Sequence, residues 1–168
     1  MTDSPRVTDA DAFVRDHATW LVRLAYLLAG SREDALDLAQ ETCERLWRSW
    51  STVSSADDPK AYVATIMANL QRSRWRRRRP VEVPYEASLH ADPGEGVGFE
   101  EADALRRGLD RLTDRQRKAI VLRYWVDLDD ATIAEALGCR PATVRSLLAR
   151  GIARLREDLT DPYEGSRS

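Results

Sequence analysis

Between residues 80 and 103 the chain carries seven carboxylates, three prolines and three glycines, and no lysine or arginine. Proline removes a backbone donor, glycine loses the most entropy on ordering, and like charges repel, so this stretch suits an extended linker far better than a packed element. A chain of 168 residues interrupted in this way folds as two small units, each with a modest core. Charge divides at the same place. Residues 71 to 79, QRSRWRRRR, hold six arginines, and residues 106 to 156 are again basic, so the formal net charge of −2 averages two basic blocks and an anionic strap.

Both halves read as helical. Thr8 and Asp11 match a capping pattern, and Phe13, Trp20, Leu21, Leu24, Leu27 and Leu28 follow at helical spacing up to a stop at Gly30. Ser31 and Asp34 open a second helix running to about Trp50, with Ala35, Leu38, Ala39, Thr42 and Leu46 inward and Asp37, Gln40, Glu41 and Glu44 outward. After a polar loop, Asp58 caps a third helix that starts at Pro59 and runs through Tyr62, Val63, Ile66, Met67 and Leu70 into the arginines. Beyond the linker a helix starts near Glu101, with Leu105, Leu109 and Leu112 sharing a face. Thr113 and Gln116 then form a capping box ahead of Ala119, Ile120, Leu122 and Tyr124. Asp129 caps a short helix that stops at Gly138, and Pro141 opens a last helix to about Asp158. The expected fold is all-α: two small helical domains, residues 8–79 and 104–159, joined by a flexible acidic linker over residues 80–103.

Composition argues against catalysis. Cys43 and Cys139 are far apart in sequence, His17 and His90 stand alone, and no metal-binding, nucleophile-elbow or glycine-rich phosphate motif is present, so the expectation is no enzyme, no cofactor and no metal. No apolar run approaches the ~20 residues of a membrane span, and the acidic start MTDSPRVTDADAF lacks the layout of a secretory signal, which places the chain in the cytoplasm. Trp20, Trp47 and Trp125 lie on or near apolar faces and are expected to pack.

The last two helices have the spacing of a helix-turn-helix, in which the second helix enters the major groove of DNA. On a wheel of 100° per residue Val144, Leu147, Leu148, Gly151 and Leu155 gather on one side and Arg145, Ser146, Ala149 and Arg150 on the other. One face packs and the other reads. Arginine donates two bonds to guanine O6 and N7, and such a pair discriminates by roughly 1–3 kcal/mol. Ser146 suits a base or a phosphate, and the small Ala149 permits close approach. Arg140 is a poor N-cap, where Ser or Thr would better accept free backbone donors, and it suits phosphate instead. In the arginine block, neutralised phosphates release counterions and give salt-dependent affinity, while Trp75 can stack on a base or cover the helix end. Two other readings stay open from these residues: a free-standing DNA-binding regulator, and a helical adaptor that binds only protein.

The residues from Phe13 to Leu159 resemble the extracytoplasmic-function sigma factors of bacterial RNA polymerase, in particular the short actinobacterial SigE type. The first domain carries EDALDLAQETCERLWRSW, similar to the helix that grips the β′ clamp helices. It also carries DPKAYVATIMANLQRSRWRRRR, similar to the helix facing the −10 element. The second carries LDRLTDRQRKAIVLRYWVDLDDATIAEALGCRPATVRSLLARGIARLRE, similar to the domain reading the −35 element. The resemblance implies core polymerase, through the β′ clamp helices and the β flap, and promoter DNA as partners, with an anti-sigma factor as a further one. It implies that Asp37, Gln40, Glu41 and Glu44 bind polymerase. Asn69, Arg72, Arg74, Trp75 and Arg76 would face −10 DNA, and Arg140, Thr143, Arg145, Ser146, Ala149 and Arg150 −35 DNA. The chain departs from the family pattern at Ala64, Thr65, Ser73 and Leu147, positions that bear on promoter preference. The Trp50 to Asp57 loop is the candidate wall of a pocket for a flipped base.

Overall fold

The computed structural model describes residues 7–78 and 99–160, and among them every regular element is helical. The chain divides into two compact units, Met1–Ala102 and Asp103–Ser168. Residues 80–98 of the expected linker lie outside the described residues, while residues 99–103 already belong to a helix.

In the first unit α1 spans Val7–Ala29, α2 Arg32–Arg48, α3 Trp50–Ser54 and α4 Pro59–Arg78. Helix α1 includes Thr8, so the start lies ahead of the expected cap. It ends at Gly30, whose φ of 101° is a conformation only glycine adopts without strain. Ser31 then caps α2: its Oγ accepts from the Asp34 amide at 3.2 Å and donates to Asp34 Oδ2 at 3.0 Å. At α4 the Ala61 amide donates to Asp58 Oδ1 at 3.0 Å, with Pro59 at the first helical position as the sequence predicts. Leu24, Leu27 and Leu28 of α1, Leu38 and Leu46 of α2, Val53 of α3, and Val63 and Met67 of α4 are fully buried and make the core. Full burial of a leucine side chain stabilises by about 1.5–3 kcal/mol over exposure, so this set holds the unit together. Thr42, also fully buried, satisfies its hydroxyl by donating to Leu38 O at 2.7 Å.

Two expectations change here. The Trp50 to Asp57 stretch is not a plain loop, because Trp50–Ser54 closes a short helix that drives Val53 into the core. In α4 the inward stripe is Val63, Ala64, Met67 and Ala68, while Tyr62 is exposed and Ile66 and Leu70 are half-buried. The two alanines let α4 approach its neighbours closely, so small residues decide which face turns inward. Ala64 is fully buried, which removes it from direct contact with DNA.

Helix α5, Phe99–Leu109, crosses the boundary between the units, and α6, Asp114–Ile120, follows in the second. A wide helical turn follows over Val121–Trp125, then α7 over Asp130–Leu137 and α8 over Pro141–Thr160. Leu109 and Leu112 are buried, but Leu105 is exposed. The Thr113–Gln116 capping box is present in both directions, each bond at 3.2 Å. After Ile120 the hydrogen-bond pattern loosens: the Val126 amide reaches back to Val121 O at 3.3 Å and Leu128 to Leu122 O at 3.0 Å, with Asp127 at φ 65°. The added turn rotates Tyr124 out of the stripe that the sequence predicts, leaving it 64% exposed. Trp125, expected to pack, is exposed as well. Helices α6 and α8 meet where α8 has no side chain. A Cβ on Gly151 would stand 2.6 Å from Ile120 Cδ1, so the glycine sets how closely α8 seats.

Candidate nucleic-acid interface

The helix-turn-helix is built by local chemistry at both ends of α7. Asp129 Oδ1 accepts from the Thr132 amide at 2.8 Å, and these bonds to Thr132, with the positive field of Arg123 adding to them, hold the Asp129 carboxyl below the usual carboxylate range. At the other end Gly138 takes the left-handed conformation, φ 63°, ψ 44°. Its amide donates to Glu135 O at 3.2 Å and the Cys139 amide to Ala134 O at 2.9 Å, the pair of bonds that closes a helix and reverses the chain. Helix α8 then starts on the Arg140 carbonyl, which accepts from Thr143 at 2.9 Å and Val144 at 3.2 Å.

Helix α8 separates its faces as the wheel predicts. Val144, Leu148 and Gly151 are buried and Leu147 and Leu155 half-buried, whereas Arg140, Arg145, Ser146, Ala149 and Arg150 are exposed and Thr143 is half-buried. Two of the exposed side chains carry internal contacts. Ser146 Oγ donates to Ala142 O at 3.2 Å, which occupies its proton and leaves the oxygen to accept. Arg145 Nη1 lies 3.7 Å from Asp130 Oδ2 at the start of α7, and Arg123 pairs with the other oxygen of the same carboxylate.

The first unit presents a different surface. Asp37, Gln40 and Glu44 are exposed on α2 and Glu41 is half-buried. Beside them stand Leu36, 53% exposed, and Trp47, 41% exposed, so Trp47 packs only in part and keeps a face open. Positions 36, 40, 44 and 47 fall within one face of a helix, which makes an apolar and acidic strip together. Sequence reasoning missed Leu36 and Trp47, although their place on the wheel beside Gln40 was the available signal. Trp20 does gain a partner, since Lys60 Nζ sits 4.6 Å from its ring centroid, and Phe13 and Trp50 meet at 5.5 Å between centroids. Burial pushes the Cys43 thiol up, which makes it a packing residue with little thiolate.

The residues grouped on α4 are not all brought together. Asn69, Arg72 and Arg76 fall on one side of the helix by their spacing, the first two half-buried and Arg76 exposed. Arg74 turns to α2 instead: Nη2 lies 3.5 Å from Asp37 Oδ2, Nε 3.9 Å from Glu41 Oε2, and Nη1 donates to Asp34 O at 3.5 Å. The Trp75 side chain lies outside the described residues. No described helix is long and apolar enough to cross a membrane.

A helical chain whose second unit ends in a capped helix, a left-handed glycine turn and a helix with arginines on its open face is, as a class, a DNA-binding protein. Family models narrow the class. Sigma-70 region 2 matches residues 13–81 and sigma-70 region 4 matches residues 102–155. The chain is 35% identical over 155 residues to the RNA polymerase sigma-E factor of Streptomyces coelicolor, the match covering 91% of this chain and 87% of that one. It is 28% identical to the RNA polymerase sigma factor SigV of Bacillus subtilis over 88% of this chain and 89% of that one. Among solved structures, the sigma factor RpoE of Bartonella quintana, in complex with the anti-sigma factor NepR, has the same fold. The TM-score is 0.68 at 24% identity, over 92% of this chain and 98% of that chain. The chain therefore belongs to the extracytoplasmic-function RNA polymerase sigma factors. It directs promoter-specific initiation of transcription and is not an enzyme.

Proposed function

We propose that the two units divide the work of this sigma factor between polymerase and two promoter elements. The outward strip of α2, with Asp37, Gln40, Glu41 and Glu44 joined by Leu36 and Trp47, docks on the β′ clamp helices of core polymerase. Asn69, Arg72, Trp75 and Arg76 of α4 face the −10 element, and Arg74 fixes α4 against α2 beside them. Helix α8 lies in the major groove of the −35 element. There Arg145 and Arg150 reach bases or phosphates, Ser146 accepts, Ala149 allows close approach, and Arg140 and Thr143 reach the backbone. The second unit meets the β flap, the acidic linker spans the two, and the work takes place in the cytoplasm. An anti-sigma factor holds the idle protein. In support, RpoE of Bartonella quintana was solved with the anti-sigma factor NepR, and CnrH was solved in complex with the cytosolic domain of CnrY.

The observation that carries this reading is the division of α8 into a buried apolar stripe and an open face of two arginines, a serine and an alanine. Any amphipathic helix turns charge away from its core, so the reading rests on that open face belonging to the second helix of a helix-turn-helix. The test is transcription by core polymerase plus this protein on a promoter library. Arg145→Ala is expected to lose selectivity at a single base position, whereas uniform weakening over all sequences would reduce Arg145 to a phosphate contact.

A further inference from the structure

We propose that Asp130 is a specificity-determining residue of α8, a carboxylate that holds Arg145 in place for base reading although it belongs to a different helix. The proposal rests on the assignment of α8 to the −35 duplex. Asp130 is the first residue of α7, where the adjacent Asp129 already supplies the cap, so the Asp130 carboxylate is not needed by the free amides. Its side chain is only 26% exposed. A carboxylate so withdrawn from water needs positive partners, and the fold supplies two guanidinium groups. Arg123, from the wide turn after α6, closes on Oδ1, and Arg145, from α8, stands 3.7 Å from Oδ2.

The distances decide what each contact does. At 3.7 Å the Arg145 contact is too long for a full hydrogen bond, and as a largely exposed ion pair worth roughly 0–1 kcal/mol it biases the rotamers of a long side chain rather than locking one. Arg145 remains 63% exposed, with its other donors open to the fork geometry that guanine accepts. Asp130 also cancels positive charge beside the groove. Without it, both Arg123 and Arg145 would be released to seek phosphates, which carry no sequence information. Loss of the carboxylate should therefore move affinity and selectivity in opposite directions. A residue that merely supported the fold would lower both.

The experiment uses the protein assembled with core polymerase on a promoter library randomised through the −35 region, with unrelated duplex DNA as a control. Arg145→Ala, Asp130→Asn and the double variant are compared, and Asp130→Asn keeps the shape and helix start of the native residue. Expected is a loss of about tenfold in preference at one base position for Arg145→Ala. For Asp130→Asn the same position should flatten by about threefold or more, with binding to unrelated DNA unchanged or tighter. The double variant should match Arg145→Ala alone in its base preference, while Arg123 remains released to bind phosphates. If Arg145→Ala flattens one position and Asp130→Asn leaves it untouched, or weakens all sequences equally, the role of Asp130 is overturned while α8 keeps its assignment. If Arg145→Ala flattens no position, the base-reading assignment fails and takes the role of Asp130 with it.

Discussion

Ser31, Asp58, Thr113, Gln116, Asp129 and Gly138 each do what their type and spacing predict, because capping is decided within four residues of chain. The large aromatic residues are the opposite case. Trp47, Tyr124 and Trp125 are exposed, and no local rule distinguishes an aromatic that packs from one left for a partner. At this scale Asp129 predicts a pH response. Its folded carboxyl titrates below the unfolded one, so its contribution is complete above the ordinary carboxylate range. It disappears as pH falls through the depressed value. Asp129→Asn, which caps equally well without titrating, should flatten the acid limb of a melting-temperature profile, and an unchanged limb would argue against the cap. Gly151 gives a second test. Any side chain there must displace Ile120, and Gly151→Leu should destabilise the protein by about 2 kcal/mol in denaturant titration.

At the level of the element, helix existence was legible from apolar spacing, whereas the rotation of a helix was not always. The inward residues of α2 fall where the sequence places them, since Leu38 and Leu46 are large and their neighbours charged. In α4 the choice between Ile66 or Leu70 and the smaller Ala64 or Ala68 depends on how close the neighbouring helix comes, which is a tertiary property. The same limit separates the arginines. A run of six reads as one patch, yet Arg74 lies on the far side of α4 and pairs with Asp37 and Glu41. The exposed strip of α2 yields a prediction that separates folding from docking. Trp47 is 41% exposed, so truncation to alanine also uncovers the covered part of the ring and should destabilise the free protein by about 1–3 kcal/mol, a loss that the melting curve reads apart from binding. Affinity for core polymerase should fall about tenfold or more, as for an aromatic anchor at an interface. Equal affinity would remove Trp47 from that surface.

For the whole molecule, the charge pattern sets two basic blocks on either side of the acidic stretch between residues 80 and 103, in a chain with a net negative charge. In the proposed division of work each unit's DNA contact is weak, and two such contacts become one strong contact only when a larger body fixes their separation and raises the effective concentration of the second. The division into two units follows from composition, but the promoter sequence does not, because it depends on side-chain placement against DNA at a resolution that residue types do not encode. The most direct measurement is a titration of one fluorescent promoter and one scrambled duplex with this protein, in the presence and absence of core polymerase, over a range of salt. Selective binding should appear only with core polymerase, with weak, non-selective and steeply salt-dependent binding by the free chain. Equal selectivity in the absence of polymerase would contradict the account.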